Sequence, residues 1–372
     1  MGGCAGSFER GVLDQYTWSI AGGSNARMVA SSQIEQPVTG RMPYANLAMP
    51  WLPTFADVLA AKAVIARTLQ RTPLISVPSL SERLGFDLYL KCESLLPTGA
   101  FKVRGGLFLM DRLPAEHRTQ GVVTASTGNH GQSIAYAARA SNVGATIFVP
   151  VGANPVKVAS MERLGAKVVF AGTDFADSCR AGETFAEENG AYYVHPSNEP
   201  CLIAGVGTST LEILETLPDA DAIFVAVGGG SGVSAACLVG KTVNPALGVY
   251  GVQAEGAPAA YEGWKQRKLV VLDRADTFAE GVATREANDL PARLFWDRVD
   301  AITLVSDQAL KRSMVTILEH AHILAEGAGA AALAGAISLA DQLQGKKVVC
   351  VVSGGNVTLK ALKTIVNEEQ PW

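Results

Sequence analysis

Short apolar runs that end in glycine-rich turns and alternate with amphipathic segments are the feature that most constrains this fold. The clearest runs are VVTA before STGNHGQ, AIFVAV before GGGSG, and KVVCVV before SGGN. Continuous apolar runs of about four to eight residues are typical of strands buried on both faces of a parallel sheet. Such strands need helical crossovers, so the alternation predicts an α/β fold. Open parallel sheets bind ligands beyond the carboxyl ends of their strands, which is where these three turns lie.

Length and charge limit the classes of protein that fit. The 372 residues can form one large domain or two, and 48% hydrophobic and 18% charged residues are ordinary for a globular enzyme. A net charge of −4 with scattered basic residues argues against nucleic acid or an anionic membrane as a partner. No apolar run approaches the roughly eighteen residues that span a bilayer.

The ends and the cysteines give coarser expectations. Residues 1–50 are rich in Gly, Ser, Met and Pro without periodicity, which predicts an irregular extension that is partly disordered or packs on a neighbouring subunit. The six cysteines form no CxxC pair or metal-ligand cluster. Cys237 and Cys350 lie in apolar runs, as reduced core cysteines do, so a cytoplasmic location is expected.

The segment TGAFKVRGG, residues 98–106, places Lys102 beside an aromatic ring and between small residues. Small neighbours let a flat ring approach the backbone, and partial burial lowers the pKa of an amine and favours its nucleophilic neutral form. This pattern suits a Schiff-base lysine. A solvated surface lysine is the ordinary alternative for an isolated residue of this type.

The run GGGSG, residues 228–232, follows an apolar strand and precedes a helix-like segment. A strand, a glycine loop and a helix N-terminus form an anion-binding geometry, because backbone N–H groups point at the ligand. The run does not match the phosphate-loop or dinucleotide-binding patterns, so nucleotide binding is not indicated. Phosphate binding and tight packing both remain open.

Three further segments complement the lysine. The N–H groups and hydroxyls of STGNHGQ can hold a carboxylate, and Asn129 can reach a phenolic oxygen. The Ser353 hydroxyl of SGGN can meet a pyridine nitrogen, or the segment is only a strand-ending turn. Glu326 in AEGAGAAALAG is either a helix-capping carboxylate or a group beside a cofactor. Together with the lysine loop and the glycine loop, these segments describe a pocket for pyridoxal phosphate.

These motifs, in this order, resemble the fold-type II pyridoxal-phosphate enzymes, specifically the threonine/serine dehydratase and serine racemase branch, from about Phe55 to Val366. The resemblance implies a tryptophan synthase β-like fold of two open, twisted, mostly parallel sheets with flanking helices. It implies a large cofactor-binding domain, residues 51–95 and 205–372, and a small domain, residues 96–204, with the substrate-carboxylate loop. A homodimer is also expected.

The resemblance also implies a role for each motif residue. Lys102 becomes the Schiff-base and catalytic lysine, and Thr127 takes the place of a second catalytic group. The remaining cofactor-binding residues are Phe101, Asn129, Gly228, Gly229, Gly230, Ser231, Gly232, Glu326 and Ser353. The residues beside the substrate carboxylate are Ser126, Thr127 and His130.

The sequence departs from the family pattern at three positions. Ser231 replaces the fourth glycine of the dehydratase loop, and its hydroxyl can add a hydrogen bond to phosphate. Thr127 stands where racemases often carry a serine that transfers a proton on the second face, which disfavours racemisation. Glu255 matches the first carboxylate of a divalent-cation site, but Tyr261 occupies the position of the second. We therefore expect no metal at this site.

The expected activity is deamination of a β-hydroxy-α-amino acid to a 2-oxo acid and ammonia by α,β-elimination. A racemase or a β-replacement enzyme on the same scaffold is the alternative, and a catalytically silent cofactor-binding protein is another. The sequence leaves the substrate open among threonine, serine, hydroxyaspartate and phenylserine. Arg285 either pairs with a substrate carboxylate or forms a surface salt bridge, and the second interpretation is favoured.

Overall fold

The computed structural model describes residues 51–372, so the predicted irregular extension, residues 1–50, lies outside the described residues. The helices are α1 Phe55–Ile65, α2 Pro78–Leu84, α3 Val103–Arg112, α4 Ala115–Gln120, α5 Asn129–Ala140, α6 Pro155–Arg163, α7 Phe175–Asn189, α8 Pro200–Thr216, α9 Ser231–Val243, α10 Ala259–Gln266, α11 Asp289–Phe295, α12 Asp307–Ala321, α13 Gly327–Ser338 and α14 Leu359–Glu368. The strands are β1 Leu74–Ser76, β2 Asp87–Cys92, β3 Val122–Ala125, β4 Ala145–Val149, β5 Lys167–Phe170, β6 Tyr192–Tyr193, β7 Ala222–Ala226, β8 Gly248–Ala254, β9 Ala301–Val305 and β10 Lys347–Val352. Short 3-10 helices span Glu93–Leu95, Glu280–Val282 and Ala340–Gln342.

Two sheets organise this part of the chain. The larger has six strands in the order β1-β2-β10-β7-β8-β9, and the smaller has four in the order β5-β4-β3-β6. Every neighbouring pair is parallel except β1 and β2. The predicted architecture of two mostly parallel sheets with flanking helices is confirmed. The strands of the small sheet all come from residues 122–193, but the predicted domain boundaries stay a prediction.

The apolar runs are continuous because the central strands bury both faces. In β10, Val349 and Val351 pack into one hydrophobic cluster together with residues of α3, α8 and α9. The alternate residues Val348, Cys350 and Val352 pack into a second cluster with α13. A strand between two helical layers has no polar face, so its sequence loses the alternation of a half-exposed strand.

Two edge strands differ from what the sequence pattern predicts. The apolar residues of AYYVHPS, residues 191–197, predict a longer strand than the two residues, Tyr192–Tyr193, that β6 covers. The pattern does not predict the edge strand β9, Ala301–Val305, because its run AITLV is interrupted by Thr303 and is not followed by a glycine turn. Within residues 51–372, no helix combines the length and apolarity needed to cross a membrane.

Close contact between α3 and α8 positions the lysine loop. A Cβ added to Gly105 would lie 2.7 Å from the Leu202 carbonyl oxygen, and one added to Gly205 would lie 2.6 Å from the Arg104 carbonyl oxygen. Glycine at both positions lets the two helix backbones touch, which any side chain would prevent. Helix α3 begins immediately after Lys102, so this contact fixes where the lysine emerges.

Candidate active site

The lysine loop is joined to the SGGN turn by backbone hydrogen bonds, although some 250 residues separate them in the sequence. The Phe101 N–H donates to the Ser353 carbonyl oxygen at 3.0 Å, and the Gly355 N–H donates to the Gly99 carbonyl oxygen at 2.9 Å. Gly99 has φ +67°, a left-handed conformation that favours glycine. The structure therefore brings two of the predicted motifs into one site.

Lys102 has no ion-pair partner among the described residues. Its Nζ lies 3.4 Å from the Ser231 Oγ and 5.1 Å from the centroid of the Phe101 ring. Burial lowers the pKa of the amine to about 8, because desolvation penalises the charged form. The amine thus lies beside the first residue of α9 and is far more readily deprotonated than a surface lysine.

The glycine loop connects β7 to α9 and exposes a row of backbone donors. Gly230 has φ +97°, and a Cβ on Gly229 would collide with the Ser197 hydroxyl. Within residues 51–372, no group accepts a hydrogen bond from the N–H groups of residues 228–232. Free N–H groups at a helix N-terminus attract anions. The loop can therefore hold a phosphate.

The STGNHGQ segment closes β3 and begins α5. The Ser126 Oγ accepts hydrogen bonds from the N–H groups of Gly128, at 3.2 Å, and Gly131, at 2.8 Å, so this hydroxyl shapes the turn. Thr127 is partly buried, and its hydroxyl has no hydrogen-bond partner in the described part of the chain. The N–H groups of Thr127 and Asn129 are likewise free there. This turn offers the donors that a carboxylate needs.

His130 is buried behind that turn. Its Nε2 lies 2.9 Å from the Thr124 Oγ1, which itself donates to the Val194 carbonyl oxygen at 2.7 Å. Because the Thr124 hydroxyl gives its proton to the Val194 carbonyl oxygen, it accepts the hydrogen bond from His130, and the ring proton is assigned to Nε2. Burial, and then the charges of Lys102 and His195, lower the pKa of His130 to about 3. The ring is neutral.

Glu326, Asn129 and Asn356 form a hydrogen-bonded chain across the site. The Asn356 Nδ2 donates to the Asn129 Oδ1 at 2.7 Å, and the Asn129 Nδ2 donates to the Glu326 Oε1 at 2.6 Å. Glu326 precedes α13, but its side chain makes no capping hydrogen bond, so the helix-capping interpretation is wrong. Burial raises the pKa of its carboxyl.

Of the remaining candidates, Ser353 is buried at the end of a strand, whereas Arg285 and Tyr261 are not fully buried. Ser353 is buried at the end of β10, and its Oγ lies 3.3 Å from the Ala328 carbonyl oxygen. Arg285 is exposed and donates from Nε to the Leu272 carbonyl oxygen at 3.0 Å, so the favoured interpretation as a surface salt bridge finds no partner among the described residues. The Tyr261 N–H donates to the Gln253 Oε1 at 3.0 Å. The described residues contain no group of three or more His, Cys, Asp or Glu side chains placed to hold a metal.

Sequence reasoning gave no role to several residues around the loops. Asn288 donates from Nδ2 to the Gly229 carbonyl oxygen at 3.2 Å, and it lies in a segment without a recognisable motif. Lys157 forms an ion pair with Glu280 near the turn at residues 126–130; the 155–160 turn and the stretch from residue 280 to 285 were expected to meet the substrate side chain, but neither residue was singled out. Asn356 lies in the SGGN motif itself, so its position was a usable signal.

The residues present fit pyridoxal phosphate. The lowered pKa of the Lys102 amine suits a reaction with the cofactor's aldehyde. The free N–H groups of residues 228–232 lie beside that amine and suit the cofactor's phosphate. Asn129 also lies near Lys102. Ser133, one turn further along the same helix α5, donates from Oγ to the Lys102 carbonyl oxygen at 2.7 Å.

Comparison with known proteins gives a consistent picture. The family described as "Pyridoxal-phosphate dependent enzyme" matches residues 65–354. The chain is 37% identical over 315 residues to the L-threonine ammonia-lyase of Thermotoga maritima, covering 85% of this chain and 78% of that protein. It is 34% identical over 319 residues to the L-threo-3-hydroxyaspartate ammonia-lyase of Saccharomyces cerevisiae, covering 86% and 98%. The structure of maize serine racemase superimposes with a TM-score of 0.80 at 30% identity, covering 86% and 98%.

Proposed function

Because the chain belongs to the pyridoxal-phosphate dependent enzyme family, we propose that it is an ammonia-lyase acting on a β-hydroxy-α-amino acid of the threonine or serine type. The products are a 2-oxo acid and ammonia. The observation that carries this proposal is the Lys102 amine, unpaired with any described carboxylate and 3.4 Å from Ser231 at the end of the glycine loop. The similarity to ammonia-lyases over most of the chain supports the reaction class.

Each motif residue receives a binding role in this proposal. Lys102 would hold the cofactor covalently, with Phe101 beside its ring, and the phosphate would lie on the donors of residues 228–232, including the Ser231 hydroxyl. Asn129, fixed by Glu326 and Asn356, would meet the 3′-oxygen. The Ser353 hydroxyl would face the pyridine nitrogen.

Lys102 would also move the proton at the substrate Cα. When bound, pyridoxal phosphate supplies an electron sink for the bonds at Cα. An amine with a pKa of about 8 is partly unprotonated near neutral pH, so Lys102 can accept the α-proton. Ser353 would be a neutral partner and would leave the ring nitrogen of the bound cofactor largely unprotonated. This suits elimination, which does not need a long-lived carbanion.

The substrate carboxylate would bind at the STGNHGQ turn. Ser126 shapes the turn, while the Thr127 hydroxyl and the free N–H groups of Thr127 and Asn129 supply the donors. His130 is neutral and hydrogen-bonded to Thr124, so it supports the turn and adds no charge. The attraction for the anion therefore comes from the turn and the start of α5.

Amino-acid racemisation is the second candidate. It is supported by the similarity to maize serine racemase and by the Thr127 hydroxyl, which is free to carry a proton on a second face. Elimination needs a proton carrier on one face only, and Lys102 fills that role. The bulk of threonine where racemases often carry serine favours the lyase.

One assay separates these activities. The purified protein is incubated with L-threonine, L-serine, L-threo-3-hydroxyaspartate and phenylserine, and both 2-oxo acid and D-enantiomer are measured. We expect mainly 2-oxo acid, both from the wild type and from Thr127→Ala, with little change on adding a chelator. A wild type that yields mostly D-amino acid, lost in Thr127→Ala, would overturn the lyase proposal.

Location, assembly and domain division are proposed more coarsely. Cys92, Cys179, Cys201, Cys237 and Cys350 are free thiols, which supports a reducing compartment such as the cytoplasm. The homodimer and the small domain, residues 96–204, follow from the family resemblance. Size-exclusion chromatography with light scattering tests the dimer, and limited proteolysis tests the domain division.

A further inference from the structure

Lys157 lies in the first turn of α6, and its ammonium is directed at the turn of residues 126–130, called the carboxylate turn below. A Cβ added to Gly128 would lie 3.7 Å from the Lys157 Nζ. The lysine side chain is only 12% exposed. An ammonium this close to the turn that begins α5 adds a full positive charge to the partial charge of the helix N-terminus.

The ammonium is balanced by Glu280 from the other sheet's loops. Glu280 begins the 3-10 helix Glu280–Val282, and the Gly281 carbonyl oxygen of that helix packs directly against Gly228 of the glycine loop. The Glu280 side chain is 57% exposed, so the lysine is the inner partner of the pair and the glutamate the outer one. The pair joins the carboxylate turn to the glycine loop across the site.

The charges of this pair also act on the Glu326 carboxyl. Burial raises the pKa of Glu326 most, the hydrogen bond from Asn129 and the charge of Lys157 act to lower it, and the charge of Glu280 acts to raise it. Glu326 is already bound to Asn129. Lys157 lies beside Gly128, the residue before Asn129, and its only direct partner in the described part of the chain is the exposed Glu280.

We propose that Lys157 binds the α-carboxylate of the amino acid, together with the turn at residues 126–130, and that Glu280 is its counter-ion when no substrate is bound. The proposal rests on the amino-acid substrate of the proposed function. Water weakens the ion pair on its exposed Glu280 side, so a carboxylate that also receives the free N–H groups of the turn can displace Glu280 without a large cost.

The test compares L-alanine with L-alaninamide, which lacks the carboxylate charge. Binding to the holoenzyme is followed by the change in cofactor absorbance, and neither ligand has a β-leaving group. Lys157→Gln should raise the Kd of L-alanine about tenfold and change that of L-alaninamide less than about twofold. Glu280→Gln should lower the Kd of L-alanine or leave it unchanged. Lys167→Gln is the control, because it removes an exposed lysine charge from β5, the strand that follows α6.

Opposite effects of the two variants distinguish a binding residue from a structural ion pair. Equal weakening of both ligands in Lys157→Gln, or the same loss in Glu280→Gln as in Lys157→Gln, would overturn the proposal, as would a wild type that does not prefer the acid. Lys157→Met is a second neutral variant, should Lys157→Gln fail to hold the cofactor. A holoenzyme that binds L-alanine through Lys157 but releases no ammonia from any of the four β-hydroxy-α-amino acids would refute the proposed function and leave this proposal standing.

Discussion

Lys91 and Lys102 lie eleven residues apart, and the protein treats their charges in opposite ways. Lys91 is 2% exposed and donates to the Glu212 Oε2 at 2.6 Å and to the Thr72 carbonyl oxygen at 2.9 Å. Lys102 has a single hydroxyl at 3.4 Å and no carboxylate partner among the described residues. The charge of Lys91 is paired with a carboxylate inside the protein, whereas the Lys102 amine remains available to a ligand.

The charges around Lys91 balance one another. Arg104, fully buried, donates to both oxygens of Glu93 at 2.7 and 2.9 Å and to both oxygens of Glu212 at 2.8 Å. Burial acts to raise the pKa of Glu93, but Arg104, Lys91 and the Thr72 hydrogen bond together outweigh it and hold that pKa below its usual range. Two cations and two anions leave this network, Lys91, Glu93, Arg104 and Glu212, without net charge.

The difference teaches how a buried polar group reveals its role. Buried charges with partners hold segments together, and this network joins β2, α3 and α8 behind the lysine loop. Buried donors without partners are costly unless something else satisfies them. The partly buried glycine loop carries N–H groups of this kind, and beside them lies the Lys102 amine, whose partner is the Ser231 hydroxyl and not a carboxylate.

The largest expected effect is on catalysis. Lys102→Ala removes the cofactor's covalent anchor and the proton carrier together, so ammonia release should fall by about 10³-fold or more. Circular dichroism should show an unchanged fold, and borohydride reduction of the wild type should leave the cofactor on the Lys102 peptide in mass spectra. Substantial ammonia release by the variant would refute the mechanism.

Lys91→Met should instead destabilise the fold. Removing one cation leaves a net negative charge buried at Glu93 and Glu212, which costs about 3–5 kcal/mol of unfolding free energy. Urea denaturation measures this loss. A loss under about 1 kcal/mol would mean that the pair of Lys91 and Glu212 behaves like an exposed salt bridge and does not hold the fold together.

Gly229→Val tests the unpaired backbone donors. The added side chain must displace Ser197 and the loop, so cofactor affinity should fall about a hundredfold while the fold stays intact. Gly144→Val is the control, because a Cβ there meets nothing within 4 Å. Equal cofactor affinity in the wild type and Gly229→Val, measured by equilibrium titration, would show that the phosphate binds elsewhere.

The smallest effect is a gain in stability. Lys102 has a folded-state pKa of about 8 against a usual value of 10.5, so between these pH values the unfolded chain binds more protons. Wild-type stability therefore rises with pH across this window. Cofactor-free Lys102→Met should be about 1–2 kcal/mol more stable than the wild type below pH 8. This advantage should disappear towards pH 10.5, and denaturation at several pH values measures it. A variant less stable at neutral pH would show that Lys102 is paired.

The sequence predicted the parts of the site better than their connections. The three motif-bearing strands and the loops that follow them were found because continuous apolar runs and glycines are local signals. The pattern does not predict the edge strand β9, since its run is interrupted by Thr303 and no glycine turn follows it. Asn356 was within a recognised motif, but its hydrogen bond to Asn129 joins residues 227 positions apart.

Local sequence determined the chemistry available to this protein: which turn carries an amine, which carries free donors, and which can hold a carboxylate. Only the tertiary structure decided which charges would be cancelled. The small residues around Lys102 indicated an amine open to a ligand, but nothing in the sequence near Lys91 identifies its partner, because Glu212 lies 121 residues away on α8. Electrostatic balance depends on distance in space and on exclusion of water, and both are set by packing.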